Sequence, residues 1–107
     1  MQSGIWISYD LGVRGDYEGM YVFLDTLDAK ECGDSMSFCV FKYNKDLLTE
    51  LKAAIKKQVT LTSRARVYVI APTANGKYKG KFLFGRRKHP AWAGYAGQGS
   101  DEEDVGE

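Results

Sequence analysis

The sequence predicts an α+β domain, a ferredoxin-like two-layer sandwich in which two helices pack on one face of a mainly antiparallel sheet. The first reason is the order of the patterns along the chain, β-α-β-α-β-β with short connections. The second is composition: 44% of the 107 residues are hydrophobic and 13% are aromatic, which is typical of a packed core rather than a disordered chain. A chain of this length has room for one such core.

The first strand and the first helix follow each other closely. Ile5, Ile7 and Tyr9 alternate with more polar positions, which predicts a strand ending near Leu11. Asp16 is the predicted N-cap of an amphipathic helix over residues 16–30. The apolar residues that recur at helical spacing in it are Tyr17, Met20, Tyr21, Leu24 and Leu27.

A second strand and helix come next. The run from Met36 to Tyr43 is short and rich in aromatic and β-branched residues, which predicts a single strand between the two helices. Asn44 is the predicted cap of the second helix. Its apolar stripe consists of Leu47, Leu48, Leu51, Ala54, Ile55 and Val59, and its outer face carries Lys52, Lys56 and Lys57.

A hairpin completes the predicted sheet. A third strand runs from Arg66 to Ala71, the pair Asn75-Gly76 is a strong turn signal, and residues 77–84 form the return strand. Alternation puts the lysines of the return strand on one face and its aromatic residues on the other. We expect Phe82 and Phe84 to pack inward.

The predicted domain covers residues 1–96, and residues 97–107 are predicted to be a disordered tail that is first Gly-rich and then acidic. Such a tail could compete with a ligand for a basic surface, or serve only solubility. The sequence has no apolar run of membrane-span or signal-peptide length, so we expect a cytoplasmic protein without a membrane partner. Cys32 and Cys39 have no zinc-ligand spacing, and both are predicted to be thiols, Cys39 in the core.

Charge is distributed very unevenly along the chain. Residues 1–50 sum to −5, residues 51–100 contain eleven Lys and Arg and no Asp or Glu, and the last seven residues sum to −5. A positive face is therefore expected wherever the second half forms the surface, unless its bases pair with acids of the first half across the fold.

The densest basic segment is interleaved with aromatic residues. Cations for phosphates beside rings for bases are what a single-stranded nucleic acid requires of a surface. The predicted phosphate contacts are Lys77, Lys79, Lys81, Arg86, Arg87 and Lys88. The predicted stacking residues are Tyr78, Trp92 and Tyr95.

Three segments resemble one protein family. The run from Ile7 to Leu11 followed by a glycine-bearing turn, the helix with Tyr17, Tyr21 and Leu24, and the strand over residues 37–41 are similar to the small CRISPR-associated endoribonuclease-like proteins. Relatives of that family include VapD toxins and SinR-like proteins. The resemblance covers residues 4–71 and implies a ferredoxin-like fold and a homodimer joined through its sheets.

The resemblance also implies a catalytic residue. In members with nuclease activity, a strand-end aspartate from each subunit lies near the twofold axis and helps to hold a divalent metal. Asp10 matches that position, so the resemblance implies phosphodiester cleavage with Mg²⁺ or Mn²⁺ held by Asp10. The residues themselves favour another interpretation, because a lone aspartate after a strand, followed here by Leu11 and Gly12, often caps a turn.

Two functions are therefore expected from the sequence. The first is a dimeric protein that binds RNA or DNA, with metal-dependent nuclease activity through Asp10. The alternative is a non-catalytic interaction or regulatory protein that docks its basic face on an acidic protein partner.

Overall fold

The computed structural model describes residues 1–98, which form five strands and three helices. The strands are β1 (Gln2–Asp10), β2 (Lys30–Gly33), β3 (Met36–Lys42), β4 (Arg66–Pro72) and β5 (Tyr78–Phe84). The helices are α1 (Tyr17–Thr26), α2 (Leu47–Gln58) and α3 (Tyr95–Gln98). Residues 97–98 of the predicted tail thus lie in α3, and residues 99–107 lie outside the described residues. None of the described helices is long and apolar enough to cross a membrane.

The strands form one antiparallel sheet in the order β2-β3-β1-β4-β5. β1 is central: Trp6 pairs with Phe38 of β3 on one side, and Asp10 pairs with Arg66 of β4 on the other. The prediction of an α+β domain with an antiparallel sheet is therefore confirmed.

The core lies between one face of the sheet and the helices α1 and α2. Alternate residues of the central strands are completely buried, as in Ile5, Ile7, Val67 and Val69. Each helix contributes an apolar stripe, with Met20 from α1 and with Leu51 and Ile55 from α2, all at 0% exposure. The thiol of Cys39 belongs to this core, and burial raises its pKa to about 11.

Asp16 fixes the start of α1, as predicted. Its Oδ1 accepts a hydrogen bond from the backbone N–H of Gly19 at 2.9 Å, and its Oδ2 accepts one from the N–H of Thr60 at 2.8 Å. These bonds, with that from Thr60 the larger cause, lower the pKa of Asp16. One carboxylate therefore caps α1 and ties it to the chain that leaves α2.

The start of α2 differs from the prediction. Asp46, not Asn44, is the N-cap, and its carboxylate accepts from the N–H of Thr49 at 2.9 Å. Asn44 lies before the helix, where its N–H and those of Lys45 and Asp46 donate to the carboxylate of Glu50. The helix therefore begins two residues later than an Asn44 cap would place it.

The connection between α1 and β3 contains a strand that the sequence pattern did not indicate. The helix ends at Thr26, because the chain reverses at Asp28, which has φ 53°. β2 then starts at Lys30 and pairs with β3 as an edge strand. All four of its residues are exposed, so it lacks the apolar alternation that marks a half-buried strand.

Candidate nucleic-acid interface

Five aromatic side chains lie on the sheet face that α1 and α2 leave open. We call them the aromatic face: Trp6, Phe38, Tyr68, Tyr78 and Phe82. The ring of Trp6 is centred 4.9 Å from that of Phe38 and 5.6 Å from that of Tyr78. Tyr68 and Phe82 form an edge-on pair at 4.8 Å. Tyr78 is 56% exposed and the other four rings are half-buried, so the face offers ring surface to solvent.

The pairing of β5 with β4 places Phe82 on this face, so the expectation that Phe82 packs inward is wrong. Lys81 pairs with the buried Val69 of β4, and paired residues of antiparallel strands project to the same side, so the lysine side of β5 faces the core. Leu83 follows this phase and is buried. Phe82 therefore points away from the core.

Phe84 packs against the core as expected, but simple alternation along β5 does not explain it. The register between β4 and β5 shifts between Val67 and Tyr68, and Val67 pairs with Phe84. This bulge returns Phe84 to the core side. There the Nζ of Lys52 lies 5.4 Å from the centre of its ring.

The three lysines of the hairpin lie apart from the aromatic face. Lys77 is exposed in the turn, and Lys79 and Lys81 project on the helix side of the edge strand. The positive charge of Lys81 contributes to lowering the pKa of Asp46, whose main cause is hydrogen bonding to Thr49. These lysines and the rings of β5 therefore occupy opposite sides of one strand.

Arg87 is the predicted phosphate-binding residue that meets the aromatic face. Its guanidinium carbon lies 5.6 Å from the centre of the Phe82 ring, a cation–π arrangement. Arg86 and Lys88 are exposed beside it. Trp92 and Tyr95 are 74% and 75% exposed, and neither makes a ring contact with a residue in the described part of the chain.

Asp10 lies at the end of β1, where it makes an ion pair with Arg66. The Nη2 of Arg66 donates to Oδ2 of Asp10 at 3.0 Å, and the N–H of Gly12 donates to Oδ1 at 3.2 Å. The bond from Arg66 is the largest cause that lowers the pKa of Asp10, followed by the bond from Gly12. The turn-capping interpretation of Asp10 is thus confirmed, whereas its catalytic role stays a prediction.

The described part of the chain presents no preformed metal site around Asp10. Among residues 1–98 there is no group of three or more His, Cys, Asp and Glu side chains that could hold a metal ion. Both oxygens of Asp10 accept hydrogen bonds, and the guanidinium of Arg66 stands where a cation would bind. Within residues 1–98, Asp10 is therefore already paired with Arg66, and its role as a ligand of Mg²⁺ or Mn²⁺ stays a prediction.

Sequence reasoning did not identify Trp6, Phe38 and Tyr68 as candidate binding residues. The available signal was aromatic residues at positions that alternate with buried aliphatic ones, as in Ile5-Trp6-Ile7 and Val67-Tyr68-Val69. A strand with apolar residues on both sides needs a cover, a ligand or a partner on its second side.

Comparison with known proteins gave no match to a protein-family model, to a curated protein or to a solved structure. The resemblance to the CRISPR-associated endoribonuclease-like proteins therefore stays a prediction.

Proposed function

We propose that this protein binds single-stranded nucleic acid across the aromatic face. The observation that carries the proposal is the convergence of five rings with arginine side chains on one open sheet surface. Base–aromatic stacking is worth about 1–3 kcal/mol per base and is tolerant of sequence. An open sheet face with solvent-accessible rings suits bases that are not paired with a second nucleic-acid strand.

The positive charge on the open face of the sheet favours a nucleic acid over an apolar ligand. Strand pairing places Lys30, Lys42 and Arg66 on the open face, and Asp10 is the acid that the strands place there. Arg66 already neutralises Asp10, and Arg87 adds a further cation over Phe82. An anionic backbone can therefore run beside the rings without meeting an unpaired carboxylate of these strands.

The proposal includes a ferredoxin-like fold. Without β5 and α3, the described chain has the element order βαββαβ and the sheet order β2-β3-β1-β4, which is the arrangement expected for that fold. β5 extends the sheet by one edge strand and contributes two of the five rings. We also propose membership of the endoribonuclease-like family and the metal-dependent cleavage of nucleic acid that the resemblance implies. In that family the metal site uses one aspartate from each subunit, so cleavage would depend on a homodimer.

A matched pair of tyrosines tests the proposal. Tyr78 on the aromatic face and Tyr21 on α1 are both 56% exposed, so both can be truncated with little cost to folding. With labelled RNA and DNA strands of about ten nucleotides, Tyr78→Ala should weaken binding at least about fivefold, because one stacked base loses its partner. Tyr21→Ala should bind like the parent. Equal binding by both variants, or no binding by the parent, would contradict the proposal.

A second copy or an acidic protein would leave different results. If the aromatic face joins two chains, Tyr78→Ala converts a dimer into a monomer in sedimentation, and oligonucleotides fail to bind either form. If the basic segment docks on a protein, neither RNA nor DNA binds, and the mass of the free chain does not depend on Tyr78. Either result would overturn nucleic-acid binding at this face.

A further inference from the structure

A cleft beyond the end of β1 gathers four cations from three separate parts of the chain. It has a volume of about 1010 Å³ and lies between the β1–α1 loop, the α2–β4 loop and the segment after β5. We call it the cationic cleft, and its charged residues are Arg14, Arg64, Arg66, Lys88 and Asp10.

The charges of the cleft do not cancel. Among the described residues, the ion pair between Asp10 and Arg66 uses the one carboxylate that lines the cleft. Arg14, Arg64 and Lys88 are exposed, and none of them has a salt-bridge partner among the described residues. Three like charges brought together by folding repel one another, and a bound anion would remove that cost.

The cleft also offers neutral hydrogen-bond donors. The hydroxyl groups of Thr62 and Ser63 line it, and both residues are exposed. The oxygen of Thr62 accepts from the N–H of Arg64 at 3.3 Å, which leaves its proton available. The backbone N–H groups of Val13 and Arg14 make no hydrogen bond within residues 1–98. Hydroxyl, amide and guanidinium donors together match the oxygens of a phosphate group.

The cationic cleft adjoins the aromatic face. A smaller cavity of about 310 Å³ lies on the open side of the sheet, lined by Ser8, Tyr68, Phe82 and Arg87. Asp10 and Arg66 line both this cavity and the cleft, so their ion pair stands at the boundary between the two. A nucleic-acid strand that lies across the rings and runs toward this end of β1 therefore reaches the cleft.

We infer that the cationic cleft binds the terminal phosphate monoester of the nucleic-acid strand that lies on the aromatic face. A terminal monoester carries about −1.5 to −2 charges at neutral pH, more than an internal diester, and so matches three unpaired cations better. This inference rests on the proposed function. It adds that the protein recognises a phosphorylated end of a strand rather than only its interior.

The experiment compares the ends of one oligonucleotide. The same strand of about ten nucleotides carries a 5′-phosphate, a 3′-phosphate or hydroxyl groups at both ends, and affinity is measured by fluorescence anisotropy. A phosphate at one end should tighten binding at least about tenfold, since it gains several charge-assisted hydrogen bonds. Arg64→Ala combined with Arg14→Ala should remove this preference and leave the affinity for the hydroxyl-ended strand within a small factor. Lys56→Ala, an exposed cation on α2, is the matched control and should keep the preference.

The failures of the two proposals are distinguishable. Equal affinity for all three strands, or a preference that survives the double variant, overturns the end-recognition inference while the aromatic face stays a nucleic-acid interface. If no oligonucleotide binds, an NMR titration of the labelled protein with a nucleoside monophosphate tests whether the cleft binds phosphate. Shifts of the Gly12 and Ser63 amides would then keep the phosphate site and overturn the proposed function, and unchanged amides would overturn both.

Discussion

The ring of Tyr68 on β4 lies over Gly80 on the edge strand β5, in the space where a Cβ atom of any other residue would stand. A Cβ built at Gly80 overlaps the hydroxyl oxygen and ring carbons of Tyr68. The same relationship recurs on this face between β1 and β3, where a Cβ at Gly4 would come within 2.8 Å of the Phe38 ring. Glycine at positions 4 and 80 therefore leaves space on the aromatic face that the rings of Phe38 and Tyr68 occupy.

Gly80→Ala should disturb this face directly. The added methyl group forces Tyr68, and with it the paired ring of Phe82, out of place, at a cost of about 1–3 kcal/mol. Thermal unfolding should show a lower melting temperature, and oligonucleotide affinity should fall as well. Lys79→Ala on the neighbouring residue is the control, because that side chain is exposed on the opposite side of β5. An unchanged melting temperature in Gly80→Ala would mean that Tyr68 does not occupy this space.

Asp10→Asn should strengthen binding of nucleic acid. The substitution removes the acid of the open face and releases Arg66 from its 3.0 Å ion pair, so affinity should rise by up to about fivefold. Because Arg66 lowers the pKa of Asp10, the carboxylate stays charged down to acidic pH, and the gain should persist from neutral pH to about pH 5. Asp25→Asn, an exposed aspartate of α1, should have no effect. Weaker binding by Asp10→Asn would mean that the ion pair is needed to orient Arg66.

The same variant tests the catalytic prediction. If the protein cleaves RNA or DNA with Mg²⁺ or Mn²⁺, as the family resemblance implies, Asp10→Asn should abolish cleavage while binding persists. Cleavage is followed on a labelled strand with each metal and with a chelator. Equal cleavage by the parent and the variant would remove Asp10 from the mechanism.

Salt dependence separates the cations of the aromatic face from those of the hairpin. For single strands, log K falls with log salt by about 0.7 per neutralised phosphate. Arg87→Ala should therefore make the slope shallower by about that amount, because Arg87 lies over Phe82 on the binding side. Lys81→Ala should leave the slope unchanged, since Lys81 projects on the helix side. A shallower slope for Lys81→Ala would restore the sequence-based assignment of the hairpin lysines to phosphate contacts.

The predictable parts of the fold are those with strong local patterns. The alternation in β1 and the helical stripe of α2 lead to the correct elements, because each pattern reflects burial on one side. The Asn75-Gly76 turn is also correct, because Gly76 adopts the positive φ of 83° that such a turn needs. β2 has no such pattern, since all of its residues are exposed and its pairing is set by the neighbouring strand. An edge strand of this kind depends on tertiary context.

The site was only partly predictable, because which side of a strand faces the core depends on how the strand pairs with its neighbour. Alternation in residues 77–84 separates lysines from rings, but the core side is chosen by pairing with β4. Leu83 carried the relevant signal, since an aliphatic residue on the lysine side marks the side that is buried. The cationic cleft joins Arg14, Arg64 and Lys88, which only folding brings together.

Asp16 provides a test of how α1 and α2 are joined. Its two oxygens bind different N–H groups, so Asp16→Asn can keep the cap on Gly19 but loses the bond from Thr60, whereas Asp16→Ala loses both. Melting temperatures at neutral pH should therefore fall in the order parent, Asp16→Asn, Asp16→Ala, with Asp25→Asn as the unaffected control. Because folding lowers the pKa of Asp16, its contribution is complete above the unfolded value near about 3.9 and is lost as pH falls through the lower folded pKa. The difference between the parent and Asp16→Ala, measured by denaturant unfolding, should shrink below about pH 4. A difference that stays constant down to pH values where the carboxyl group is protonated would show that charge on Asp16 plays no part in the link.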